Sequence, residues 1–345
     1  MSIANDYRPK SFDDVVEQSV VVNILRNTCK QEHLEHRNFL LIGPAGTGKT
    51  TLGRIINRAL NGDEVEPIEL DAASHNGVDD IRDIIEQAQQ YPVIGKYKVF
   101  IIDECHALSS AAWQAMLKVL EESPAASVFI LCTTNPEKIP ATIISRVQTF
   151  KLTKISTKGI YDRLLSVVKS EIESGKSIQY DPPYGLVYIA KMANGGMRDA
   201  MTMLEKCLAY SNDITSDHVV QALGLPNFDD YFNLLRAVSK RDFDSVLMIL
   251  DTIYSSGVNF VSWFEGFNSF LINVVKYCYF KDFTVVTIPE TYAESLAGYT
   301  ENHAKVCMRL SSVVTRLIHD MRQTSYQQEA AVTAFCDLMM KSDKR

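Results

Sequence analysis

The segment Gly43-Pro44-Ala45-Gly46-Thr47-Gly48-Lys49-Thr50 fits the pattern G-x-x-x-x-G-K-[ST]. It follows the apolar run Phe39 to Ile42, a predicted strand, and precedes a predicted helix from Thr51 to Leu60. Glycines let such a loop wrap around phosphates, so that backbone N–H groups and the helix N-terminus donate to them. We expect Lys49 to reach the β- and γ-phosphates and the Thr50 hydroxyl to ligate Mg²⁺. The alternative is a glycine-rich turn with an exposed lysine, which the order of strand, loop and helix disfavours.

A second apolar run, Val99 to Ile102, ends in two carboxylates, Asp103 and Glu104. Ionised groups at the end of a buried strand are costly unless they serve a cation or a reaction. We expect Asp103 to hold the Mg²⁺ that Thr50 ligates, and Glu104 to orient or deprotonate an attacking water. The alternative is a pair that faces solvent, which the nearby phosphate loop disfavours.

Three more polar residues are candidates for the same site. Asn135 follows the apolar run Val128 to Cys132, and its amide can hold the water or the γ-phosphate beside Glu104. Taken alone, Asn-Pro is only a turn signal. Arg146 and Arg198 are cations that can neutralise charge on the transferred phosphoryl group, although each by itself is typical of a protein surface.

The predicted secondary structure changes along the chain, from alternating strands and helices to helices alone. From Phe39 to about Phe150, short apolar runs alternate with helical patterns, which predicts a parallel sheet buried between helices and hence an α/β fold. After Lys151 helical periodicities take over, and a second boundary is predicted at Gly224-Leu225-Pro226-Asn227. We therefore predict domains at 1–155, 156–224 and 225–345, the last two of them helical.

The predicted helices of the second half are bounded by capping and turn residues. They run from Ser156-Thr157 through Ser170, from Pro182-Pro183 across Leu186, Ile189 and Ala190, from Met197 towards Tyr210, from Asp213 to Gly224, from Tyr231 to Val238, from Asp242 to Tyr254, from Phe260 to Tyr279, from Tyr292 to Leu310, and from Ser311 to Met340. The third region is rich in aromatic residues. These aromatic residues are Phe260, Trp263, Phe264, Phe267, Phe270, Tyr277, Tyr279 and Phe280. They could form a ligand site, but aromatic residues at helical spacing are more typical of packing between helices.

Composition excludes several classes of protein. The 345 residues have a mean hydropathy of −0.05, with 42 acidic and 35 basic side chains, so their net charge of −7 gives no global cationic field for nucleic acid. Nucleic acid is therefore expected only at a local surface. There is no apolar stretch of about 20 residues and no signal-peptide pattern at the N-terminus, so we expect a cytoplasmic protein without a membrane span.

The seven cysteines are scattered and lie mostly in apolar runs. No two have the close spacing of a zinc ribbon or a redox pair, so we expect buried free thiols and no structural metal.

Several segments together resemble a known family. The loop Gly43 to Thr50 resembles a Walker A motif, and Ile101 to His106 resembles a Walker B motif. The other matches are Thr133-Thr134-Asn135 with sensor 1, Ser145-Arg146-Val147 with the Ser-Arg-Cys arginine-finger motif of clamp loaders, Gly196 to Ala200 with sensor 2, and Tyr7 to Val16 and Glu69 to Ser74 with further family segments. Together they are similar to the AAA+ clamp-loader ATPases, in particular the gamma/tau subunits of bacterial DNA polymerase III. The matches cover about residues 4 to 205.

This resemblance implies an AAA+ P-loop NTPase domain, a helical lid domain and an all-α collar domain for oligomerisation. The collar is assigned by position and helicity only. The family works as a ring-like pentamer in which ATP lies between neighbours. ATP binding and hydrolysis drive the opening of a sliding clamp and its release on primer–template DNA during replication. The implied partners are the other clamp-loader subunits, the clamp and the DNA.

The resemblance also assigns residues. Arg146 is implied to act on the nucleotide of the next subunit, and the lid to close on ATP through Arg198. With Mg²⁺ at Thr50 and Asp103, the implied catalytic set is Glu104, Asn135, Arg146 and Arg198. The implied ATP-binding set is Tyr7, Arg8 and Val16 beside the adenine, with Gly43, Pro44, Ala45, Gly46, Thr47, Gly48, Lys49, Thr50 and Thr51.

The sequence departs from the family pattern in three places. Gamma/tau subunits usually carry a four-cysteine zinc module after the Walker A helix, whereas the segment from Leu60 to Ile68 has no cysteine, so no zinc is expected. The chain ends at Arg345 without the long tau extension, which suggests a gamma-like short form of viral or divergent origin. Val147 replaces the usual cysteine of the finger motif but leaves the guanidinium of Arg146. The intact Walker A disfavours the related delta-prime subunit.

Contacts with DNA depend on two helix starts. Asn76 and Arg82 lie at the predicted helix after Gly77, and Ser109-Ser110 begins the helix after the Walker B motif. Helix N-termini can donate N–H groups to phosphates without a basic surface, although ordinary capping explains the same residues. Asn76 and Arg82 are therefore candidate DNA contacts. The alternatives from other classes are an AAA+ DNA motor of the branch-migration type and a non-catalytic replication scaffold.

Overall fold

A computed structural model describes residues 2–180, 184–224, 228–288 and 292–340. It divides into two compact units, Met1–Ile178 with Ile189–Ala209, and Gln179–Tyr188 with Tyr210–Arg345. The three-domain division stays a prediction. Pro182-Pro183, proposed to precede a helix, and residues 225–227 of the second predicted boundary lie outside the described residues.

The first unit contains a five-stranded parallel sheet within the described residues. Its strands, in chain order, are β1 (Asn38–Ile42), β2 (Ile68–Asp71), β3 (Lys98–Asp103), β4 (Ser127–Thr133) and β5 (Gln148–Lys151). The order in space is β2-β3-β4-β1-β5, with every pair parallel. The carboxyl ends of β1 and β3 therefore open on the same edge of the sheet. This arrangement confirms the α/β prediction.

Helices cover both faces of this sheet. Leu41, Ile101 and Ile130 belong to the apolar core on one face, whereas neighbouring residues of the same strands, such as Leu40 and Leu131, belong to the core on the other. The helices up to residue 210 are α1 (Ile3–Asp6), α2 (Ser19–Cys29), α3 (Lys49–Asn61), α4 (Val78–Gln89), α5 (Ser110–Glu121), α6 (Ala141–Ile144), α7 (Thr157–Glu173), α8 (Tyr184–Met192) and α9 (Met197–Tyr210).

The second unit is mainly helical. It contains a short parallel pair, β6 (Gln179–Tyr180) with β7 (Asp213–Ile214). Its further helices are α10 (Ser216–Ala222), α11 (Phe228–Lys240), α12 (Phe243–Ser255), α13 (Phe260–Phe280), α14 (Ala293–Ala297), α15 (Glu301–Met321) and α16 (Gln327–Met340).

Three predicted helices of this unit are wrong in their bounds, those from Asp213 to Gly224, from Tyr292 to Leu310 and from Ser311 to Met340. Asp213 does not begin a helix, because Asp213–Ile214 is a strand and Thr215 caps α10 through its side chain. Ser311 is not a break either, since it lies inside α15, where its hydroxyl donates to Asn268 Oδ1 at 2.7 Å. A serine that finds a side-chain partner across a helix pair need not end its helix.

The aromatic residues of α13 pack as predicted, with two exceptions. Trp263, Phe264 and Phe267 are buried in contact with one another. Tyr279 and Phe280, at the end of the helix, are instead exposed.

The cysteines are free, and Cys105, Cys132, Cys207, Cys278 and Cys307 are buried. In the described part of the chain, no helix is both long enough and apolar enough to span a bilayer.

Candidate nucleotide-binding site

The glycine-rich loop joins β1 to α3. Gly46 and Gly48 have φ angles of +72° and +101°, a left-handed backbone that glycine adopts without the steric cost of a Cβ atom. Gly48 directly precedes α3, so the first N–H groups of that helix lie at the end of the loop. The Lys49 side chain is buried, and its Nζ donates to the carbonyl oxygens of Gly43 at 2.9 Å and Pro44 at 3.1 Å. The loop thus holds an ammonium group beside the first N–H groups of α3, an arrangement that suits phosphate.

The hydroxyl of Thr50 and the carboxylate of Asp103 meet at the edge of the sheet. Thr50 Oγ1 donates to Asp103 Oδ2 at 2.6 Å, and the backbone N–H of Glu104 donates to Asp103 Oδ1 at 3.0 Å. Hydroxyl and carboxylate oxygens are hard ligands of the kind that Mg²⁺ takes alongside phosphate oxygens. The donor set on these two side chains therefore fits Mg²⁺.

Glu104 lies in a constrained position after β3. Its φ angle is +44°, which non-glycine residues seldom adopt. Its Oε2 accepts a hydrogen bond from Thr134 Oγ1 at 2.9 Å. The carboxylate is thus directed at the segment after β4, where the sequence predicted an amide partner.

His106 connects that carboxylate to Asn135. Its Nδ1 lies 3.2 Å from Glu104 Oε2, and its Nε2 lies 3.4 Å from Asn135 Nδ2. Both contacts are satisfied by one neutral tautomer, in which Nδ1 donates to Glu104 and Nε2 accepts from the amide. Asn135 therefore reaches Glu104 through the imidazole.

Sequence reasoning assigned no role to Thr134 or His106. Their position was nevertheless visible, because each lies within two residues of an assigned side chain, at the end of a buried strand.

A cavity beside the loop gathers most of the predicted nucleotide-binding residues. The predicted residues that line it are Tyr7, Arg8, Val16, Ala45, Gly46, Thr47, Gly48, Lys49, Thr50, Thr51, Asp103, Glu104 and Arg198. Gly43, Pro44, Asn135 and Arg146 are not among its lining residues. The lining also includes Val15, which lies within the quoted segment Tyr7 to Val16 but was assigned no role, and Ile155, Arg163 and Met201, which the sequence did not suggest because they lie outside the quoted motifs.

Positive charge is concentrated in this cavity. The pKa of Arg8 is lowered, first because burial removes water from its guanidinium and then because Arg54 adds positive charge, with a smaller effect from Arg198. Arginine nevertheless stays protonated in proteins. Lys49, Arg163 and Arg198 also line the cavity, which suits an anionic ligand.

Tyr7 is fixed at the cavity by α7. Its hydroxyl donates to Glu171 Oε1 at 2.8 Å, and its carbonyl oxygen accepts from Arg163 Nη2 at 2.8 Å. Lys176 also donates to the Glu171 carboxylate. Burial raises the pKa of Tyr7, so its phenol remains a hydrogen-bond donor.

The start of α9 touches the phosphate loop. The backbone N–H of Met197 donates to Gly46 O at 3.0 Å. A Cβ atom on Gly46 would lie 3.0 Å from Gly196 Cα. This close approach brings Arg198, the next residue of α9, into the lining of the cavity.

The two candidate DNA contacts lie at the start of α4: Asn76 precedes the helix and Arg82 lies in its second turn. The backbone N–H of Ser109, which caps α5, donates to Asn76 O at 3.1 Å. Arg82 is exposed and pairs with Asp79 at 2.8 Å on the same helix. The geometry thus brings the N-termini of α4 and α5 together but leaves the two residues without an assigned ligand.

Comparisons with known proteins agree on a family. The family model described as "DNA polymerase III, delta subunit" matches residues 60–156. The chain is 32% identical to the DNA polymerase III subunit gamma of Buchnera aphidicola subsp. Acyrthosiphon pisum over 337 residues, covering 89% of this chain and 90% of that protein. It is 40% identical to the DNA polymerase III subunit tau of Bacillus subtilis over 232 residues, covering 60% of this chain and 39% of the tau chain. The chain therefore spans less than half the length of that relative.

Solved structures show the same fold. The Thermotoga maritima RuvB Holliday junction branch migration motor superposes with a TM-score of 0.52 at 21% sequence identity, covering 67% of this chain and 79% of that one. An identity this low supports the fold and nothing more specific.

Proposed function

The chain belongs to the gamma/tau family of DNA polymerase III clamp-loader subunits, and from this premise we propose that it is an ATPase subunit of a sliding-clamp loader. ATP binding holds the clamp open, and hydrolysis releases it on primer–template DNA. The observation that carries the proposal is the contact of Thr50 with Asp103 beside the glycine-rich loop, with Glu104 next to it. This arrangement supplies phosphate binding, a magnesium site and a water activator together.

Each group has a distinct task in this proposal. The loop N–H groups and Lys49 bind the β- and γ-phosphates, and Thr50 and Asp103 hold Mg²⁺, which when bound neutralises charge on the phosphate oxygens. Glu104 orients or deprotonates the attacking water. Thr134 and His106 direct its carboxylate, and Asn135 acts through His106.

The remaining cavity residues recognise the rest of the nucleotide. Tyr7, Arg8 and Val16 lie beside the adenine, and Arg198 contacts the phosphates from α9. In the proposed domain scheme, residues 1–155 bind the nucleotide, 156–224 form a lid that closes over it, and 225–345 form the collar of a pentameric ring.

Arg146 acts in trans. It is not among the residues lining its own chain's cavity, so its guanidinium is available to the nucleotide of a neighbouring subunit. The partners in this scheme are the other loader subunits, the clamp and primer–template DNA. Asn76 and Arg82 are proposed contacts to DNA phosphates, which are recognised largely without regard to sequence.

The experiment measures the ATPase of the chain assembled with its partner subunits, with and without a sliding clamp and a primed template. We expect clamp and DNA to stimulate turnover jointly, and Arg82→Ala to weaken the DNA response without changing basal ATP binding. Strand separation by the purified chain, with no effect of a clamp, would favour the branch-migration motor instead.

Two variants test the nucleotide site itself. Lys49→Ala should abolish ATP binding because it removes the phosphate-binding cation. Glu104→Gln should retain binding and lose hydrolysis, because only water activation is removed. Equal loss of ATP affinity in both variants contradicts the assigned roles. Wild-type clamp loading by Lys49→Ala would identify the chain as a non-catalytic scaffold.

A further inference from the structure

The guanidinium of Arg146 is held in one orientation within a single chain. Its Nη1 donates to Thr142 O at 2.7 Å and to Ser145 Oγ at 3.1 Å, and its Nη2 donates to the Glu121 carboxylate. An arginine side chain has five N–H donors. In the described part of the chain these three hydrogen bonds leave two donors for an incoming phosphate oxygen.

The backbone on both sides of this ion pair is fixed by one amide. Asn38, the first residue of β1, donates through Nδ2 to Leu120 O at 3.0 Å and to Arg146 O at 3.4 Å. Its Oδ1 accepts from Ser123 Oγ at 3.0 Å. The end of α5 and the segment carrying Arg146 are therefore joined to the strand that leads into the phosphate loop.

The ion pair itself contributes little to folding. The side chains of Arg146 and Glu121 are 32% and 43% exposed, and pairs with this much solvent access contribute little to stability. The arrangement does restrict a long side chain that otherwise samples many rotamers. Restriction before binding lowers the entropy lost when the guanidinium meets its target.

We propose that Glu121 is a positioning residue that orients Arg146 towards the nucleotide of a neighbouring subunit. The inference rests on the proposed function, because it needs Arg146 to act in trans. Glu121 does not contact the nucleotide; it holds Nη2, so that the guanidinium keeps one orientation while Nε–H and one N–H of Nη2 remain for a phosphate oxygen.

The test uses assemblies containing two variants of this chain with their partner subunits. Arg146→Ala subunits keep an intact loop, and Lys49→Ala subunits keep an intact guanidinium. Of the interfaces between the two variants, only an Arg146→Ala loop beside a Lys49→Ala finger is complete, so ATPase above that of either variant alone reports on it. Adding Glu121→Ala to the Lys49→Ala subunit then changes the finger and leaves the working nucleotide site unmodified.

We expect Glu121→Ala in the finger subunit to lower kcat about 10-fold, less than the ~1,000-fold loss expected when the guanidinium itself is removed. KM for ATP should stay unchanged. Glu121→Gln keeps a carbonyl oxygen that accepts from Nη2, so it should retain an intermediate rate. Glu122→Ala removes the adjacent exposed carboxylate, which makes no side-chain hydrogen bond or ion pair in the described residues, and should leave kcat as it was.

The possible failures are distinct. If mixing Arg146→Ala with Lys49→Ala restores no ATPase, Arg146 does not act in trans, and both that part of the proposed function and this inference are overturned. If mixing restores turnover but Glu121→Ala has no effect on kcat, only the role of Glu121 is refuted. A fall in kcat accompanied by a lower Tm and an equal loss in Glu122→Ala would show a general structural effect and would also refute it.

Discussion

A methyl group at Gly46 tests the contact between the phosphate loop and α9. The added Cβ atom would lie 3.0 Å from Gly196 Cα and 3.6 Å from Arg198 N. The atom it meets is backbone and cannot swing aside as a flexible side chain would. We therefore expect Gly46→Ala to push the start of α9 away from the loop and to lengthen the hydrogen bond from Met197 N to Gly46 O, which is 3.0 Å in the native chain.

The size of the effect follows from two contributions. An L-residue at the φ angle of +72° costs about 1 kcal/mol of stability, whether or not nucleotide is bound. Displacement of α9 also removes one hydrogen bond and moves Arg198 from the cavity, for a loss of about 1.4 kcal/mol in binding. That loss corresponds to a roughly tenfold higher Kd for ATP.

Gly175→Ala is the matched control. Gly175 has a φ angle of +98°, and apart from its two chain neighbours no described residue has an atom within 4 Å of the position its Cβ would take. This variant should therefore lose a similar amount of stability in denaturant unfolding but bind ATP with native affinity, as measured by titration calorimetry. Native ATP affinity in Gly46→Ala, or an equal loss in both variants, would refute the reasoning that α9 and the loop must touch to bind nucleotide.

Three further predictions concern stability and thiol chemistry. Phe264→Ala should lower the free energy of unfolding by about 3–5 kcal/mol because the ring is fully buried, whereas Phe280→Ala, at a ring 67% exposed, should change it by under about 0.5 kcal/mol in the same urea titration. Burial raises the pKa of Cys207 to about 11, so at about pH 8 its alkylation, followed by mass spectrometry, should be more than about 100-fold slower in the folded chain than in denaturant. Hydrogen bonding from Lys176 holds the pKa of Glu171 below its ordinary value of 4.5. The ionised carboxylate therefore stabilises the fold at pH values above 4.5, and this stabilisation is lost as the pH falls through the lower pKa of the folded state. Glu171→Gln should therefore flatten the decline of the unfolding midpoint below about pH 5, and an unchanged pH profile would contradict this linkage.

The central strands and the phosphate loop could be predicted because their signals are local. A run such as Phe39 to Ile42 is uniformly apolar since both of its faces are buried, and the loop after it has a fixed spacing of glycines. The strand β5 was not predicted, because its four residues are mostly polar and only Phe150 is buried. It forms as an edge strand through its pairing with β1, which is a tertiary cause.

In the candidate site too, local signals could be predicted from the sequence, whereas contacts formed by tertiary packing could not. Motif spacing suggested Asp103 and Thr50 as neighbours, and they lie 2.6 Å apart at their side-chain oxygens. No local pattern pairs Glu121 with Arg146 or Arg163 with Tyr7, because each contact joins segments that meet only after the sheet has formed. Contacts between distant segments depend on register and helix packing, which a single sequence does not specify residue by residue.

The position of Arg146 separates nucleotide binding from hydrolysis in the proposed function. Lys49, Thr50 and Glu104 line one cavity of one chain, whereas Arg146, whose guanidinium donates to Glu121 and whose carbonyl oxygen accepts from Asn38, is not among the lining residues. A finger of this kind contributes a factor of about 1,000 or more to turnover. In the proposed function, a single chain therefore holds the groups that bind ATP but lacks the last cation that hydrolysis needs, and the neighbour in the ring supplies it. Asn38 begins the strand that leads into the phosphate loop and also donates to Arg146 O, so in the proposed ring a shift of that strand on nucleotide binding would also move the guanidinium presented to the next site.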